Sequence, residues 1–437
     1  MTGGAAPVSS HPARASAHIP ARAARAVAVA ALFLAAAWLR ARFLFAWSPP
    51  GDLVFSDMRG FVERAQNLLD GRMLPNDVLY PPGQHLLIAL SARLLGGSDT
   101  LVLGAHLAAG LLTCFWMWRG SERLLGRGPA IAVLAIAAFH FPFLALSGTY
   151  LAETIFTAWL ALLFFLLARW KFPWNPREAL AIGVVAAAGT LWKGTNQLFV
   201  PILAVWSLGW RVTGARAREA RAASGWVFLL TGYVAVLLSQ GLYFRAFHGE
   251  FLPVAAGGAY NFTLGKCPGS KIVAKDGANF RSPRAYYTGE GGVQAYDAFL
   301  HDQRFFWRRG LDCVRARPSL IITSLREVGY LFAGNLLWPA NVTRFERASR
   351  IYQRAFALFL IPGAVLGLAA LARKPFSPRA APFVLVPSIC ASAYLFLGEL
   401  RFRIPFDVAF IPLAVLGWAW ALAWTPRATA KPGPTRF

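Results

Sequence analysis

Charge is what this sequence has least of. Only 15% of its 437 residues are Asp, Glu, Lys or Arg, against 57% hydrophobic. A soluble domain carries about a quarter charged residues, so a water-exposed globule is excluded. Acidic residues are the scarcer kind, 20 against 44 basic ones, for a net charge of +24. That excess does not indicate nucleic acid, because the basic residues gather at the ends of apolar runs, where the positive-inside rule puts them. Cysteine is down to four, too few for a disulfide scaffold, and no CxxC or zinc-like spacing occurs. Cys114 and Cys390 lie inside apolar runs and read as core residues. Cys267 and Cys313 share the one long polar segment and can pair if that segment faces an oxidising compartment. No internal repeat is visible. P-loop, GxGxxG, GxSxG and DxD motifs are all missing. The missing DxD matters, since a nucleotide-sugar donor leaves as a diphosphate, usually neutralised by a divalent metal on paired carboxylates. The sequence therefore indicates no cofactor, while leaving a divalent ion open.

What is present is apolar length. Runs such as Ala26–Leu39, Leu101–Trp118, Leu151–Leu167, Val227–Leu238 and Ile404–Trp424 approach or reach the roughly 20 residues that cross a bilayer. The fold class is an all-α polytopic membrane protein with about 10–12 transmembrane helices. Basic connections at Arg119–Arg127, Arg169–Arg177, Arg211–Arg221 and Arg373–Arg379 belong on the cytoplasmic side. Alternation then works with spans near 26–46, 98–119, 129–147, 151–170, 178–192, 196–211, 224–246, 351–372, 380–397 and 404–424. The stretches Gln84–Leu95 and Ile321–Trp338 do not cross in this scheme and lie on the external face. The organisation is a disordered basic cytoplasmic tail (1–25) and an N-terminal transmembrane catalytic module (26–246) with an external loop at 47–86. An external region with an interfacial helix (247–350), C-terminal spans (351–424) and a cytoplasmic tail (425–437) follow.

Charges beside spans are expensive and each needs an account. Asp57 opens "SDMRGFVERAQNLLD", whose apolar residues recur every three or four positions, as in an interfacial helix. Asp is also a good helix N-cap. Glu153 sits at the start of a span, where the helix dipole alone would favour it. Lys193, in "LWKGTN", lies at a turn between two apolar runs, where a snorkelling lysine is the plain alternative. Arg401 and Arg403, in "GELRFRIPF", are external-face cations that depart from the positive-inside tendency. Arginine grips phosphate by two bonds, although ion pairs with Glu399 or Asp407 would also explain them. Tyr80 and His85 flank the Pro81-Pro82-Gly83 break and are candidate substrate contacts, though a single histidine in an apolar setting, as at His85 and His140, is more often a satisfied core residue than a ligand. Asn261-Phe262-Thr263 and Asn341-Val342-Thr343 match the glycosylation sequon, a pattern common by chance. Asp57, Glu153, Lys193, Arg401 and Arg403 come from four separate connections, and the topology sends all of them to one side of the membrane. A cationic clamp with isolated carboxylates fits a monophosphate leaving group, for which one base suffices.

The stretch "FSDMRGFVERAQNLLDG…LYPPGQHLLIALSARLLGG" resembles the first external loop of the polytopic, lipid-linked-sugar-dependent glycosyltransferases with the C-type glycosyltransferase fold. Within them it is most similar to bacterial relatives of the protein O-mannosyltransferases and of the aminoarabinose and Rgt-like transferases. Asp57, Phe61, Ala65, Leu68, Gly71, Pro81 and Pro82 fit the pattern. "LSGTYLAETIF", "GAYNFTLGKCPGS" and "ELRFRIPFDVAF" are similar to later family segments. Met58 departs from the second acidic residue often found after the first, Phe61 from a usual Tyr, and Lys193 from a frequent Arg. The resemblance implies an inverting transfer from a polyprenyl-phosphate sugar donor to a lipid, glycan or protein acceptor on the external side. Asp57 would be the base, Glu153 the second acidic position, and Arg401 or Arg403 the basic position near the lipid phosphate. The Ala/Arg-rich composition points to a bacterial inner membrane, with an extracytoplasmic active site facing the periplasm. The expected partners are donor, acceptor and membrane lipids, and no nucleic acid. A transporter or lipid flippase would want midplane charges and repeated halves; it and another envelope glycan ligase or polymerase are the alternatives.

Overall fold

The computed structural model describes residues 21–52, 54, 57–72, 75–212, 219–267, 271–274, 284–289, 292–299, 302–333 and 345–424. Of the expected N-terminal tail (1–25), residues up to 20 lie outside the described ones, and residues 21–25 are not disordered but open the first helix; the C-terminal tail from 425 and the Asn341 sequon also lie outside. The first half holds α1 (Ala21–Arg42), α2 (Asp57–Leu69), α3 (Gly83–Leu94), α4 (Thr100–Leu125), α5 (Arg127–Phe139) and α6 (Phe141–Ser147). It continues with α7 (Glu153–Arg169), α8 (Pro176–Thr190), α9 (Phe199–Val212) and α10 (Glu219–His248). Then come α11 (Gly257–Lys266), strands β1 (Lys271–Ala274), β2 (Arg284–Gly289) and β3 (Gly292–Phe299), α12 (Gln303–Ala316), α13 (Leu320–Thr323) and α14 (Leu325–Tyr330). The chain closes with α15 (Glu346–Ala355), α16 (Ile361–Ala372), α17 (Leu385–Leu395), the single turn α18 (Leu400–Arg403) and α19 (Asp407–Trp424).

Among the described residues, 5 helices are long and apolar enough to cross a membrane: Arg22–Asp52, Thr100–Leu125, Ser224–His248, Glu346–Ala372 and Leu400–Ala423. The pair α5–α6 makes a sixth that is bent by 42°. The other expected spans are found as shorter apolar helices, α7, α8, α9 and Ala381–Leu395. The protein is an integral, multi-pass membrane protein. Helices α3, α13 and α14 are too short to span, in keeping with the expectation that these stretches do not cross.

Local sequence explains several helix ends. Asn175 caps α8 by accepting from the Glu178 amide at 3.0 Å, and its own amide donates back to the Glu178 carboxylate at 3.1 Å, a reciprocal pair with Pro176 at the first helical position. Helix α2 buries Met58, Phe61, Arg64 and Ala65 and stops where Gly71 takes a φ of 66°. Without a hydrophobic drive between helices in lipid, close backbone approach must hold the bundle together. On α8 a side chain at Gly183 would meet the Leu229 carbonyl of α10 at 2.0 Å. On α16 one at Gly367 would meet the Leu413 carbonyl of α19 at 2.2 Å. The fully buried interior lies along α4, α5, α7, α8 and α19, with Met117, Leu134, Phe156, Phe164 and Ile411 at zero exposure. Val205, Leu368 and Leu422 are exposed on the outer surface of the apolar helices.

The segment between α10 and α15 is more structured than its loop-like composition implies. Strands β1, β2 and β3 form an antiparallel sheet in that order, with Ile272 opposite Tyr287 and Tyr286 opposite Ala295. A disulfide between Cys267 and Cys313 joins the end of α11 to α12. Helix α11 is wedged between two parts of the chain. The Ala256 amide just before it donates to the Val78 carbonyl at 2.9 Å, and Gly265 at its far end abuts the Phe396 carbonyl.

Candidate active site

The charged residues that the sequence sends to one face meet at the end of the bundle where α7 begins and α8 and α17 end. Arg401 is the hub. Its Nη1 donates to Asp57 Oδ2 at 2.9 Å, its Nε lies 3.5 Å from Glu153 Oε1, and its Nη2 lies 3.5 Å from Glu399 Oε2. Lys193 Nζ pairs with the same Glu153 oxygen. Phe402 offers its ring to both cations, at 4.6 Å from Lys193 Nζ and 5.2 Å from the Arg401 guanidinium carbon. On the other side the Tyr80 hydroxyl donates to Asp57 Oδ1 at 2.9 Å.

Each position has a local cause. Asp57 is the first residue of α2, so its carboxylate stands at the positive end of the helix. Glu153 opens α7 in the same way. Trp192 and Lys193 follow the end of α8, where the backbone turns into the short Gly194–Asn196 turn. Tyr80 precedes Pro81 and Pro82, which break the chain before α3; the Gly83 amide is then tied to the Leu191 carbonyl at 2.8 Å. That bond joins the loop bearing Tyr80 to the turn bearing Lys193.

These side chains line a cavity of about 290 Å³ whose wall also includes Phe61, Trp192, Tyr260, Asn261 and Phe396. It is open to solvent, and Asp57 keeps 19% of its side-chain surface exposed while Glu153 keeps 2%. Burial pushes the Asp57 carboxyl upward, but the Arg401 charge and the hydrogen bonds from Arg401 and Tyr80 outweigh it and hold it below the usual carboxylate range. Burial, and then the Asp57 charge, push the Tyr80 hydroxyl well above its ordinary value, so it stays a proton donor. Burial pushes the Lys193 amine down, against the neighbouring Glu153, which favours its charge. Tyr260 is pushed up to about 12 by burial and by Asp57.

Asp57, Glu153, Lys193, Arg401 and Tyr80 are therefore brought together. Two expected contacts are not. Arg403 is fully buried on the opposite side of its turn, committed to Asp407, Tyr352 and the Leu331 carbonyl. Two residues along a helix is about 200° of rotation, so both arginines cannot face one cavity. His85 is buried too, with Nε2 3.3 Å from the Tyr243 hydroxyl, and does not line the cavity. Burial, then Arg64 and His248, push its pKa down to about 3, so it is neutral. The other acidic residues of the first loop are structural: Asp77 is buried against Arg64 Nε at 3.4 Å, and exposed Asp70 lies 4.0 Å from Arg72. Thr263 of the Asn261 sequon is buried within α11 and bonded to the Phe306 carbonyl. Sequence reasoning missed Tyr260, Trp192 and Phe402 as lining residues. Their one signal was position, each lying within three residues of a charge or motif already singled out.

Among the described residues no group of three His, Cys, Asp or Glu side chains is placed to hold a metal ion. The donor set at the site does not fit a divalent cation either. Asp57 and Glu153 each already face a cation, and an ion between them would lie against Arg401 and Lys193.

No protein-family model and no curated protein sequence matches the chain. Solved structures do. The oligosaccharyltransferase of Archaeoglobus fulgidus, tethered by a disulfide to an acceptor peptide containing the NVT sequon, superposes with a TM-score of 0.52 at 13% identity, over 90% of this chain and 50% of that one. The same enzyme in complex with Zn and sulfate gives 0.52 at 12% identity, over 90% and 49%. ArnT from Cupriavidus metallidurans, bound to undecaprenyl phosphate, gives 0.39 at 15% identity, over 91% and 79%. The chain thus spans about half the length of the oligosaccharyltransferase it matches. Its fold is the C-type glycosyltransferase fold.

Proposed function

We propose that this protein is a membrane glycosyltransferase that moves a sugar from a polyprenyl-phosphate donor to a lipid, glycan or protein acceptor on the extracytoplasmic face, with inversion. One observation carries the reading: the carboxylates of Asp57 and Glu153 and the cations of Arg401 and Lys193, from four separate connections, share one aromatic-walled cavity at one end of the bundle.

The acceptor hydroxyl attacks the anomeric carbon from the side opposite the phosphate. Its oxygen bonds to that carbon as the carbon–phosphate-oxygen bond breaks, Asp57 takes the hydroxyl proton, and polyprenyl phosphate leaves. Arg401 and Lys193 offset the charge that builds on the leaving phosphate, and Glu153 fixes both cations. Arg401 also links the two halves of the reaction. While it is paired with Asp57 it makes that carboxylate a weak base. A donor phosphate that draws the guanidinium toward itself strengthens the base at the moment the donor arrives. The aromatic wall suits the apolar faces of a sugar ring.

Replacing Asp57 by Asn keeps the shape and removes the base. Transfer from a polyprenyl-monophosphate sugar by the purified protein is expected to fall by about 10²–10⁴, with expression and folding retained. Wild-type turnover in Asp57→Asn would end the proposal.

A further inference from the structure

Arg401 stands on the first turn of the helical stretch Leu400–Ala423, just before Pro405. It is pulled three ways, toward Asp57, Glu153 and Glu399. What packs behind that turn therefore bears on where the guanidinium stands.

Behind it lies a polar cluster sealed inside the bundle. Arg403 spends its donors in three directions: Nη1 on Asp407, Nη2 on the Tyr352 hydroxyl at 3.1 Å, and Nε on the Leu331 carbonyl at 3.0 Å. Its guanidinium carbon stands 3.9 Å over the Phe356 ring. Asp407 passes the chain of bonds on, its Oδ2 accepting from His140 Nε2 at 2.9 Å. His140 sits at the break between α5 and α6, its ring edge-on to Tyr352 at 5.0 Å. The carbonyls next to that break are also held, because buried Arg40 of α1 donates to Ala137 and Ala138 at 3.1 and 3.2 Å. Arg403 and Asp407 have no exposed surface, and His140 keeps only 4%. A buried ion pair of this kind adds little net stability over apolar packing, so its value lies in fixing geometry.

We infer that Asp407, His140 and Tyr352 are positioning residues for Arg401: they hold Arg403, and through the shared turn they fix the opposite face where Arg401 meets the donor phosphate. The inference rests on the transferase reading for the identity of that phosphate, and on geometry alone for the anchor.

The test compares His140→Asn, Tyr352→Phe and Arg401→Gln in the full-length protein in liposomes, with a short-chain polyprenyl-monophosphate sugar as donor. His140→Asn is expected to raise the donor KM about tenfold, since small displacements of a positioned group cost this much or more, while the acceptor KM stays unchanged. Added to Arg401→Gln, it is expected to do almost nothing further, because residues acting as a unit are not additive. Equal losses for donor and acceptor, or a full additional loss on top of Arg401→Gln, would overturn the inference and leave a merely structural cluster. A second readout does not need activity: labelling of Asp57 by a water-soluble carbodiimide at mildly acidic pH, followed by mass spectrometry. A displaced Arg401 exposes Asp57, so His140→Asn is expected to label faster than wild type and toward the rate of Arg401→Gln; unchanged labelling overturns the anchor. If wild type labels as expected but transfers from no polyprenyl-phosphate sugar, the transferase reading fails and the anchor stands. Should His140→Asn fail to fold, Tyr352→Phe, which removes only the hydroxyl on Arg403, is read by the same two measurements.

Discussion

Asp57 sits between opposing influences, burial on one side and the Arg401 guanidinium with the Tyr80 hydroxyl on the other. The cation wins, so the folded carboxyl titrates below its ordinary value of 3.8. The sign follows: a lowered carboxyl contributes stability that is present above the unfolded pKa and is lost as pH falls through the folded one. The same shift keeps the proposed base ionised throughout the neutral range, and no acid limb from Asp57 is expected in kcat/KM between about pH 5 and 8. Arg401→Gln removes the largest of the influences that oppose burial. Its residual activity is expected to show an acid limb displaced upward past the ordinary carboxylate value, and a pH profile unchanged by the substitution would contradict this arrangement. The residue scale is also where the sequence was most and least informative. Asp57, Glu153, Lys193 and Arg401 were legible because each is a charge at a span end, where lipid makes charge costly. Arg403 carries the same charge two positions from Arg401, and only about 200° of helical rotation separates cavity from core. Asp407 as the partner of Arg403 was readable as a local alternative, but His140, 267 positions from Asp407, was not.

Elements explain why those side chains stay put. Helices α16 and α19 run with their backbones nearly touching, and a side chain at Gly417 would lie 2.0 Å from the Gly363 carbonyl. Helix α19 begins with Asp407 of the buried cluster, so any shift of α19 reaches the site through α18. Gly417→Leu is expected to lower stability by about 1–3 kcal/mol, the usual cost of overpacking, measurable as a lower Tm in detergent. Leu422→Ala, at an outer-surface position 70% exposed, is expected to leave Tm nearly unchanged. Equal shifts in the two variants would contradict the packing described. Spans were legible from apolar length, and the interfacial helix α2 from its period. The break between α5 and α6 was hidden, because apolar residues run on both sides of His140 and its partners are distant in sequence. The small sheet was hidden among the Gly- and aromatic-rich residues of the external region, where short strands and loop composition look alike. The Cys267–Cys313 bond was readable as a pairing that compartment would decide.

At the scale of the whole molecule, sidedness governs everything else. Basic connections alternate with acidic and aromatic ones along the chain, and that parity sends α2, the start of α7, the turn after α8 and α18 to one end of the bundle. The fold agrees with half the length of an oligosaccharyltransferase, and at this identity the likeness speaks to architecture alone. The chemistry therefore depends on whether distant positions share one extracytoplasmic cavity. The most direct measurement places cysteines singly and together at these positions, Asp57→Cys and Arg401→Cys, in a background lacking Cys114 and Cys390, in sealed vesicles of known orientation. Both single variants are expected to react with a membrane-impermeant thiol reagent from the extracytoplasmic side, and the double variant to be bridged by a short bifunctional one. Reaction from opposite sides of the membrane, with no bridging, would contradict the account.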